Sequence, residues 1–133
     1  MAITISSKQL VEEANAKIKT LSLEEAKEKF GQDDVQFVDI RDVRELEREG
    51  TIPGALHAPR GMLEFWVDPD SPYFKPVFAE DKQFIFYCQS SWRSALSVAA
   101  LQDMGLNTAC HFAGGYSNWE KTGGPTEARE KKS

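Results

Sequence analysis

The chain has 133 residues, of which 41% are hydrophobic, and this length and composition fit one domain with its own core. Its net charge of −5 excludes a protein that binds nucleic acid through clustered lysines and arginines, because such a protein must neutralise phosphates. No segment approaches the roughly 20 consecutive apolar residues of a membrane-spanning helix, and the amino terminus lacks a signal-peptide pattern, so we expect a cytoplasmic protein.

The first half of the chain predicts helices that alternate with short strands. Ser6 and Ser22 are typical helix N-caps, and each is followed three residues later by the Gln or Glu of a capping box. The predicted elements are a helix after Ser6 with Leu10, Val11, Ala14 and Ile18 on one face, a strand at 19–21, a helix from Ser22 to Gly31, a strand at 35–40, a helix at 43–49 that Gly50 ends, and a strand at 55–57.

The second half continues the same alternation. We expect one or two helical turns at 61–66, a loop at 67–78, a strand at 83–87, a helix at 94–104 and a strand at 108–112, with no helix assigned to GGYSNWEKTGG. The predicted organisation is a helical extension at 1–19, one domain at 20–125 and a solvated, mobile tail at 126–133.

Strands that alternate with helices at this spacing indicate an α/β domain with a largely parallel sheet, because parallel neighbours need crossover connections. Such sheets carry their sites at the carboxyl ends of the strands. Cys88 stands at that position, after the apolar strand FIFY and before the polar stretch QSSWRS. The sequence therefore identifies Cys88 as a candidate functional residue.

A thiol between a strand and a helix has the surroundings of a reactive cysteine. The following loop can turn its backbone N–H groups towards one point, and the positive end of the helix and Arg93 favour an anion there. The alternative is a structural role, because free cysteine is among the most buried residue types. Cys110, inside a predicted strand, fits that packing role better, and a disulfide between the two cysteines stays open.

Three stretches of the chain carry a resemblance to a known family: FVDIRDVRELEREGTIPGALHAP, FYCQSSWRSALSVAALQDMG and HFAGGYSNWEKTGGP. In this order they resemble the rhodanese family of single-domain sulfurtransferases, and the resemblance covers residues 20–125. It implies a three-layer α/β domain with a central five-stranded parallel sheet and helices on both faces. It also implies that Cys88 alternates between thiolate and persulfide, with no cofactor or metal.

The loop length bears on the reaction class. Four residues separate Cys88 from Arg93, as in the sulfurtransferases, whereas the related arsenate reductases and dual-specificity phosphatases have five and hold a larger oxyanion. A short ring of N–H groups suits the outer sulfur of a persulfide. The resemblance therefore favours sulfur transfer from thiosulfate, polysulfide or a persulfide to cyanide or a thiol. The alternatives are a phosphatase or arsenate reductase, and a non-catalytic binding module, although such modules usually lack the cysteine.

The resemblance also assigns the remaining site residues. It implies that Gln89, Ser90, Ser91, Trp92 and Arg93 bind substrate together with Arg60, and that Asp39, Arg41 and Ser94 support the loop. Because Gln89, Ser90 and Ser91 are neutral, we expect thiosulfate to be a poor donor.

Several residues leave two interpretations open. Trp92 either walls the pocket or, as we favour, packs on the sheet, and Asp39 and Arg41 either buttress the loop or form a surface ion pair. His57 and His111 are expected to be structural. The aromatic segment 65–78 is a lid, an association surface or the core of a long loop. The expected partners are a small sulfur donor and acceptor or a protein sulfur carrier, and the protein is a monomer or a homodimer.

Overall fold

A computed structural model of the chain describes residues 2–131. Five parallel strands form one sheet in the order β1-β5-β4-β2-β3, which confirms the predicted fold class. In chain order the elements are α1 (Ser7–Lys17), β1 (Thr20–Leu21), α2 (Leu23–Lys29), β2 (Val35–Asp39), α3 (Val43–Glu49), β3 (Leu56–His57), a 3-10 turn (Arg60–Met62), α4 (Leu63–Val67), a second 3-10 turn (Pro76–Ala79), β4 (Gln83–Tyr87), α5 (Trp92–Asp103), β5 (Ala109–Phe112) and α6 (Gly115–Lys121).

The central strand β4 positions the site. It pairs with β2 on one side and with β5 on the other, and residues 84–87 are fully buried. A strand with helices over both faces needs apolar side chains on both sides, which explains the unbroken apolar run from Phe84 to Tyr87. Cys88 therefore leaves the sheet at the centre of its carboxyl edge.

The two faces of the sheet carry separate apolar cores. Alternate residues of β4 point to opposite faces, so Phe84 and Phe86 belong to one core and Ile85 and Tyr87 to the other. The first core is completed by side chains of α4 and α5, and the second by side chains of α2 and α6, among them Trp119. This is the three-layer arrangement that the resemblance implies.

Helix α1 packs against α5 through small side chains, with Ala14 against Ala95 and Ala99. Ser6 caps α1 by accepting a hydrogen bond from the Gln9 N–H, but the Gln9 side chain binds Glu13 and does not complete the predicted capping box. Of the apolar residues predicted to share one face of this helix, Ala14 is buried whereas Leu10 is 44% exposed. The capping box of Ser22 and Glu25 is complete, as predicted.

Two helices differ from the prediction. Helix α5 begins at Trp92, two residues before the predicted start, because Ser91 adopts a left-handed conformation (φ 68°) that turns the chain into the helix. The stretch after β5 forms α6, which the sequence analysis missed. This helix starts with glycines at positive φ and without a side-chain cap, so the usual N-terminal signal is absent.

The predicted tail is partly ordered. Glu127 pairs with Thr51 through two backbone hydrogen bonds of 2.8 and 2.9 Å, and the Pro125 carbonyl accepts a hydrogen bond from the Trp119 indole. The prediction of a mobile segment from residue 126 is therefore wrong at its start, because the sequence did not reveal a backbone partner so distant along the chain. The tail's last residues, 132 and 133, and residue 1 of the predicted extension lie outside the described residues.

The aromatic segment 65–78 divides between core and surface. Phe78 is buried against Phe84, and Trp66 packs against the same core, whereas Phe65 and Tyr73 are exposed. The segment is thus in part the core of a long loop, one of the three interpretations that the sequence left open. Between residues 2 and 131 the structure has no helix with the length and hydropathy of a bilayer span.

Candidate active site

Cys88 follows β4 and lies beneath the first turn of α5. Only 1% of the residue is exposed, and its Sγ accepts a hydrogen bond from the Ser94 N–H at 3.3 Å. The Ser94 hydroxyl lies 3.7 Å from the same sulfur. The structure thus brings Cys88 and Ser94 together, and it places the sulfur at the amino-terminal end of a 12-residue helix.

We call the backbone of residues 89–93, which connects Cys88 to Ser94, the cradle. Within the described part of the chain, none of the N–H groups of residues 89–93 donates a hydrogen bond to a protein acceptor. Ser90, at the middle of the turn, is exposed. Unpaired N–H groups beside a thiol and a helix amino terminus can stabilise a negatively charged atom bonded to the sulfur.

Gln89 is fixed on both sides of its amide group. Its Oε1 accepts a hydrogen bond from Arg41 Nη1 at 2.9 Å, and its Nε2 donates to Ser117 Oγ at 2.7 Å. The first N–H groups of α6 donate to the carbonyls of Cys88 and Gln89 at 2.8 and 3.1 Å. The side chain of Gln89 thus holds the loop in place, and the contact with substrate that the resemblance implies for it stays a prediction.

Asp39 and Arg41 form a completely buried ion pair, so the interpretation as a surface pair is wrong. Arg41 donates through Nε and Nη2 to the two carboxylate oxygens of Asp39 at 3.0 and 2.8 Å. Its Nη2 also donates to the Gly50 carbonyl, and the guanidinium stacks on the Tyr116 ring at 4.1 Å. Through Gln89, this pair connects the end of β2 to the cysteine loop.

The electrostatics of this pair depend on its burial. Burial by itself would lower the pKa of Arg41. The hydrogen bonds to Asp39 and the negative charge of that carboxylate outweigh the effect of burial, so the pKa of Arg41 is raised above its ordinary value. Asp39 also accepts a hydrogen bond from the Thr51 hydroxyl, which lies 2.8 Å from the Tyr87 hydroxyl. Burial raises the pKa of Tyr87 well above its ordinary value, so the phenol stays protonated. The network therefore contains the buried Asp39–Arg41 pair, neutral hydroxyl partners and a second carboxylate, the partly exposed Glu49, 3.7 Å from Arg41 Nη1.

Arg93 is held by a residue that the sequence analysis did not consider. Its Nη1 and Nη2 donate to the carboxylate of Glu45 on α3 at 2.9 and 3.0 Å. These hydrogen bonds hold the pKa of Glu45 below its ordinary value. Glu45 also accepts from the Asp42 N–H as part of a capping box, and that sequence pattern was a signal for its position.

Trp92 and Arg60 lie apart from the buried network. Trp92 is 69% exposed, so the expectation that it packs on the sheet is wrong. It lines a mostly apolar groove of about 510 Å³ between α1 and α5, with Val11 and Leu96. Arg60 begins the 3-10 turn after β3, where its N–H donates to the Ile40 carbonyl, and its side chain forms no hydrogen bond or ion pair with the described residues.

The two histidines have different surroundings. His57 binds the Arg41 carbonyl through Nε2 at 2.7 Å, in line with the structural role expected for it. His111 lies in β5, and its Nδ1 is 2.8 Å from the hydroxyl oxygen of Ser94. Because Ser94 contacts the Cys88 sulfur, only Ser94 lies between His111 and Cys88. Burial lowers the pKa of His111 to about 4, so the imidazole is neutral at physiological pH. The sequence analysis did not connect His111 with the site.

Cys110 has the packing role that the sequence predicted. It is buried among apolar side chains of one core, it forms no disulfide, and burial raises the pKa of its thiol to about 11. Among the described residues, no group of three His, Cys, Asp or Glu side chains could hold a metal ion.

Comparisons with known proteins agree with this geometry. A family model, the rhodanese-like domain, matches residues 22–122. The thiosulfate:glutathione sulfurtransferase of Homo sapiens is 29% identical over 106 residues, which cover 75% of this chain and 91% of that protein. The polysulfide-sulfur transferase homodimer of Wolinella succinogenes has 27% identity and a TM-score of 0.69, with 92% of this chain and 87% of that chain covered.

A more similar solved structure carries a different description. It comes from Rhodopseudomonas palustris, is described as a protein of unknown function and possible tyrosine phosphatase, and has 51% identity and a TM-score of 0.92 over 96% of this chain and 98% of that chain. The family model nevertheless spans most of the present chain, including the cysteine loop, α6 and the buried ion pair. The chain therefore belongs to the family of rhodanese-like domains.

Proposed function

We propose that the protein is a sulfurtransferase that carries a sulfane sulfur on Cys88 as a persulfide. The observation that carries the proposal is the Cys88 sulfur that accepts the Ser94 N–H at the start of α5, next to a loop whose N–H groups at residues 89–93 have no acceptor among the described residues. Sulfurtransferases with related sequences support the same class. The donor and the acceptor are small molecules, with a protein sulfur carrier as the alternative.

The reaction has two steps and one covalent intermediate. The Cys88 thiolate attacks the outer sulfur of thiosulfate, a sulfur–sulfur bond forms, and sulfite leaves with the electron pair of the bond that breaks. Cyanide or a thiolate then attacks the outer sulfur of the persulfide, and Cys88 leaves as the thiolate. In the intermediate the outer sulfur bears the negative charge, which the N–H groups of the loop can stabilise.

The pairing of Arg93 with Glu45 bears on the choice of donor. The carboxylate of Glu45 binds the Arg93 guanidinium through two nitrogens and compensates its positive charge, so the guanidinium attracts a dianion such as thiosulfate only weakly. The polar side chains Ser90 and Ser91 are neutral. We therefore expect polysulfides and persulfides of low-molecular-weight thiols to be better donors than thiosulfate.

The direct test is a comparison of the two cysteines in a sulfur-transfer assay. We expect Cys88→Ser to abolish thiocyanate formation from cyanide with either thiosulfate or glutathione persulfide, because covalent catalysis has no second nucleophile. Cys110→Ser should retain most of the activity. Substantial transfer by a folded Cys88→Ser variant would refute the proposal.

A phosphatase is the second candidate, since the 51% identical structure is described as a possible tyrosine phosphatase. Two observations weigh against it: the loop has only four residues between Cys88 and Arg93, and Glu45 occupies the arginine. We expect no hydrolysis of aryl phosphates by the natural chain. A glycine inserted between Ser91 and Trp92 should lower sulfur transfer and permit slow hydrolysis, whereas unchanged sulfurtransferase kinetics in the folded insertion variant would disprove the argument from loop length.

A further inference from the structure

A chain of hydrogen bonds leads from Cys88 to the protein surface. Cys88 Sγ lies 3.7 Å from Ser94 Oγ, which lies 2.8 Å from His111 Nδ1. On the other side of the ring, His111 Nε2 lies 3.1 Å from Thr20 Oγ1 and 3.2 Å from Asn15 Oδ1. Ser94 and His111 are buried, whereas Thr20 and Asn15 are exposed, so the chain joins the buried thiol to solvent.

The partners favour one direction of these hydrogen bonds when Cys88 is a thiol. The amide oxygen of Asn15 can only accept, so His111 carries its proton on Nε2 and donates from there. The Ser94 hydroxyl then has two acceptors, Nδ1 of His111 at 2.8 Å and the Ser91 carbonyl at 3.2 Å; it donates to the nearer Nδ1, and its oxygen is free to accept from the thiol. Every donor along the chain therefore points away from Cys88.

A thiolate requires the opposite direction. The Ser94 hydroxyl must then donate to the sulfur, so its oxygen must accept from a protonated Nδ1 of His111. Nε2 would then need a donor, and Thr20, whose hydroxyl can donate as well as accept, lies within hydrogen-bond distance. The ring thus has a suitable partner in both tautomers, because one neighbour of Nε2 is an amide oxygen and the other is a hydroxyl.

We propose that His111 is a positioning residue that exchanges its tautomer when Cys88 ionises and so passes the thiol proton to the surface at Thr20. The thiol S–H bond breaks as the Ser94 oxygen gains that proton, and the Ser94 proton moves to Nδ1. The Nε2 proton moves to the Thr20 oxygen, and the proton of the Thr20 hydroxyl leaves to water. One proton departs, the sulfur becomes an anion and His111 is neutral before and after.

The surroundings of the ring agree with a neutral relay. The side chains that face its nitrogens are Asn15 from α1, Thr20 from β1 and Ser94 from α5, all uncharged, while Phe86 of β4 is its neighbour across the sheet. Burial disfavours the imidazolium form of His111. The charged side chain that acts on Cys88 is Arg93, whose guanidinium Glu45 holds.

The tautomer of His111 can be measured directly by nitrogen-15 NMR of histidine-labelled protein, with His57 as the internal reference. The experiment uses the Cys110→Ser variant, in which Cys88 is the one thiol whose ionisation can be observed. Thiolate formation is followed by its ultraviolet absorbance from about pH 5 to about pH 9. We expect the Nε2–H tautomer with the thiol and the Nδ1–H tautomer with the thiolate. Cys88→Ser should keep the first tautomer throughout. A tautomer that does not follow the thiolate, or an imidazolium at neutral pH, would overturn the proposal.

A kinetic test uses Thr20, which lies at the exposed end of the chain and far from the sulfur. Thr20→Val should slow alkylation of Cys88 by iodoacetamide at neutral pH several-fold, because Nε2 loses the donor that the thiolate state requires. The control is Thr108→Val, at another exposed threonine near a strand of the same sheet, and it should change the rate less than about twofold. Equal rates for the two variants would contradict the relay.

This inference rests on the proposed use of Cys88 as a thiolate, but its tests need no sulfur transfer. If the tautomer follows the thiolate and Thr20→Val slows alkylation, the relay holds even when no persulfide forms on Cys88. In that case only the proposed function fails. If a persulfide forms on Cys88 but the tautomer stays fixed, only the relay fails.

Discussion

Arg41 shows how single residues determine the shape of the site. Its guanidinium donates four hydrogen bonds, two to Asp39, one to the Gly50 carbonyl and one to Gln89, and the face of the guanidinium lies on the Tyr116 ring. A lysine could not bind this many partners in one plane. Because Gln89 is the first residue after Cys88, the geometry of Arg41 is transmitted directly to the cradle.

The first prediction concerns this buried pair. Arg41→Ala leaves the Asp39 carboxylate buried without its partner, and we expect the free energy of unfolding to fall by about 3–5 kcal/mol in urea denaturation. The matched control is Arg44→Ala, which removes an exposed, solvent-screened ion pair with Asp42 and should lower the free energy of unfolding far less. Similar losses for the two variants would mean that burial does not strengthen the Asp39 pair.

The second prediction concerns His111 and pH. Its pKa is lowered from 6.5 to about 4 by burial, so below pH 6.5 the unfolded chain binds more protons at this residue than the folded chain. Stability therefore falls as pH drops from about 6.5 towards 4, by about 3 kcal/mol in total for this group.

The measurement is urea denaturation of the natural chain and of His111→Asn at about pH 7 and about pH 5. The natural chain should lose about 2 kcal/mol more than the variant over this interval, because the variant has no imidazole to titrate. Parallel losses in the two proteins would show that the burial of His111 does not contribute to acid sensitivity.

The sequence was informative about residues whose role is local and less so about their partners. Cys88 stood out because a strand, a polar turn and a helix follow one another around it, and Asp39 and Arg41 were identified from the family motif. Glu45 and His111 were missed as site residues because their contacts join distant parts of the chain, 48 residues apart for Arg93 and Glu45. Such pairings depend on the packing of whole elements and leave no local pattern.

At the scale of elements, the amino terminus of α6 packs against the cysteine loop. Its first N–H groups donate to the carbonyls of Cys88 and Gln89, so the end of β4 serves as the N-cap that the helix lacks in its own sequence. Gly115 permits this approach, since a Cβ atom there would lie 2.5 Å from the Cys88 carbonyl oxygen. The missing helix and the cysteine loop are thus parts of one structure.

The third prediction follows from that close approach. Gly115→Ala should lower the free energy of unfolding by about 3 kcal/mol and reduce sulfur transfer, because the new methyl group pushes α6 away from the loop. Gly123→Ala is the control, since Gly123 also has a positive φ but open space around it, and should cost about 1 kcal/mol without loss of activity. Equal effects would mean that backbone strain alone explains the glycine at 115.

The predicted strands and helices were mostly correct because their signals are local. The strand at 83–87 and the helix at 43–49 have the predicted bounds, since apolar runs and a terminal glycine mark them. The start of α5 was placed two residues late because the polar residues before it indicated a loop, and α6 was missed because another strand supplies its cap. Both errors lie at the site, where tertiary contacts replace local signals.

At the scale of the whole molecule, the parallel sheet places two buried thiols in different surroundings. Cys88 lies beyond the carboxyl end of β4 beneath the helix α5, whereas Cys110 lies within β5 among apolar side chains. The pKa of Cys110, raised by burial to about 11, leaves almost none of it as thiolate at neutral pH. Topology, and not exposure, therefore distinguishes the two cysteines, since both are buried.

The fourth prediction concerns the charge pair at the mouth of the site. Arg93→Ala leaves the Glu45 carboxylate without its partner, and this uncompensated negative charge should repel a dianion, so we expect kcat/KM for thiosulfate to fall at least about tenfold more than for an uncharged organic polysulfide. Arg93→Lys should restore only part of the loss, because lysine cannot bind Glu45 through two nitrogens. Equal losses for the two donors would show that Arg93 shapes the loop and does not select the anion.

The most direct test of the central proposal is the location of the transferred sulfur. The natural chain is incubated with glutathione persulfide or thiosulfate, alkylated to trap persulfides, digested and analysed by mass spectrometry, with Cys88→Ser and Cys110→Ser treated in parallel. We predict one added sulfur on the peptide that contains Cys88, its loss on addition of cyanide, and its persistence in Cys110→Ser. Sulfur found on the Cys110 peptide, or an unmodified Cys88 peptide with every donor, would contradict the assignment of Cys88 as the sulfur carrier.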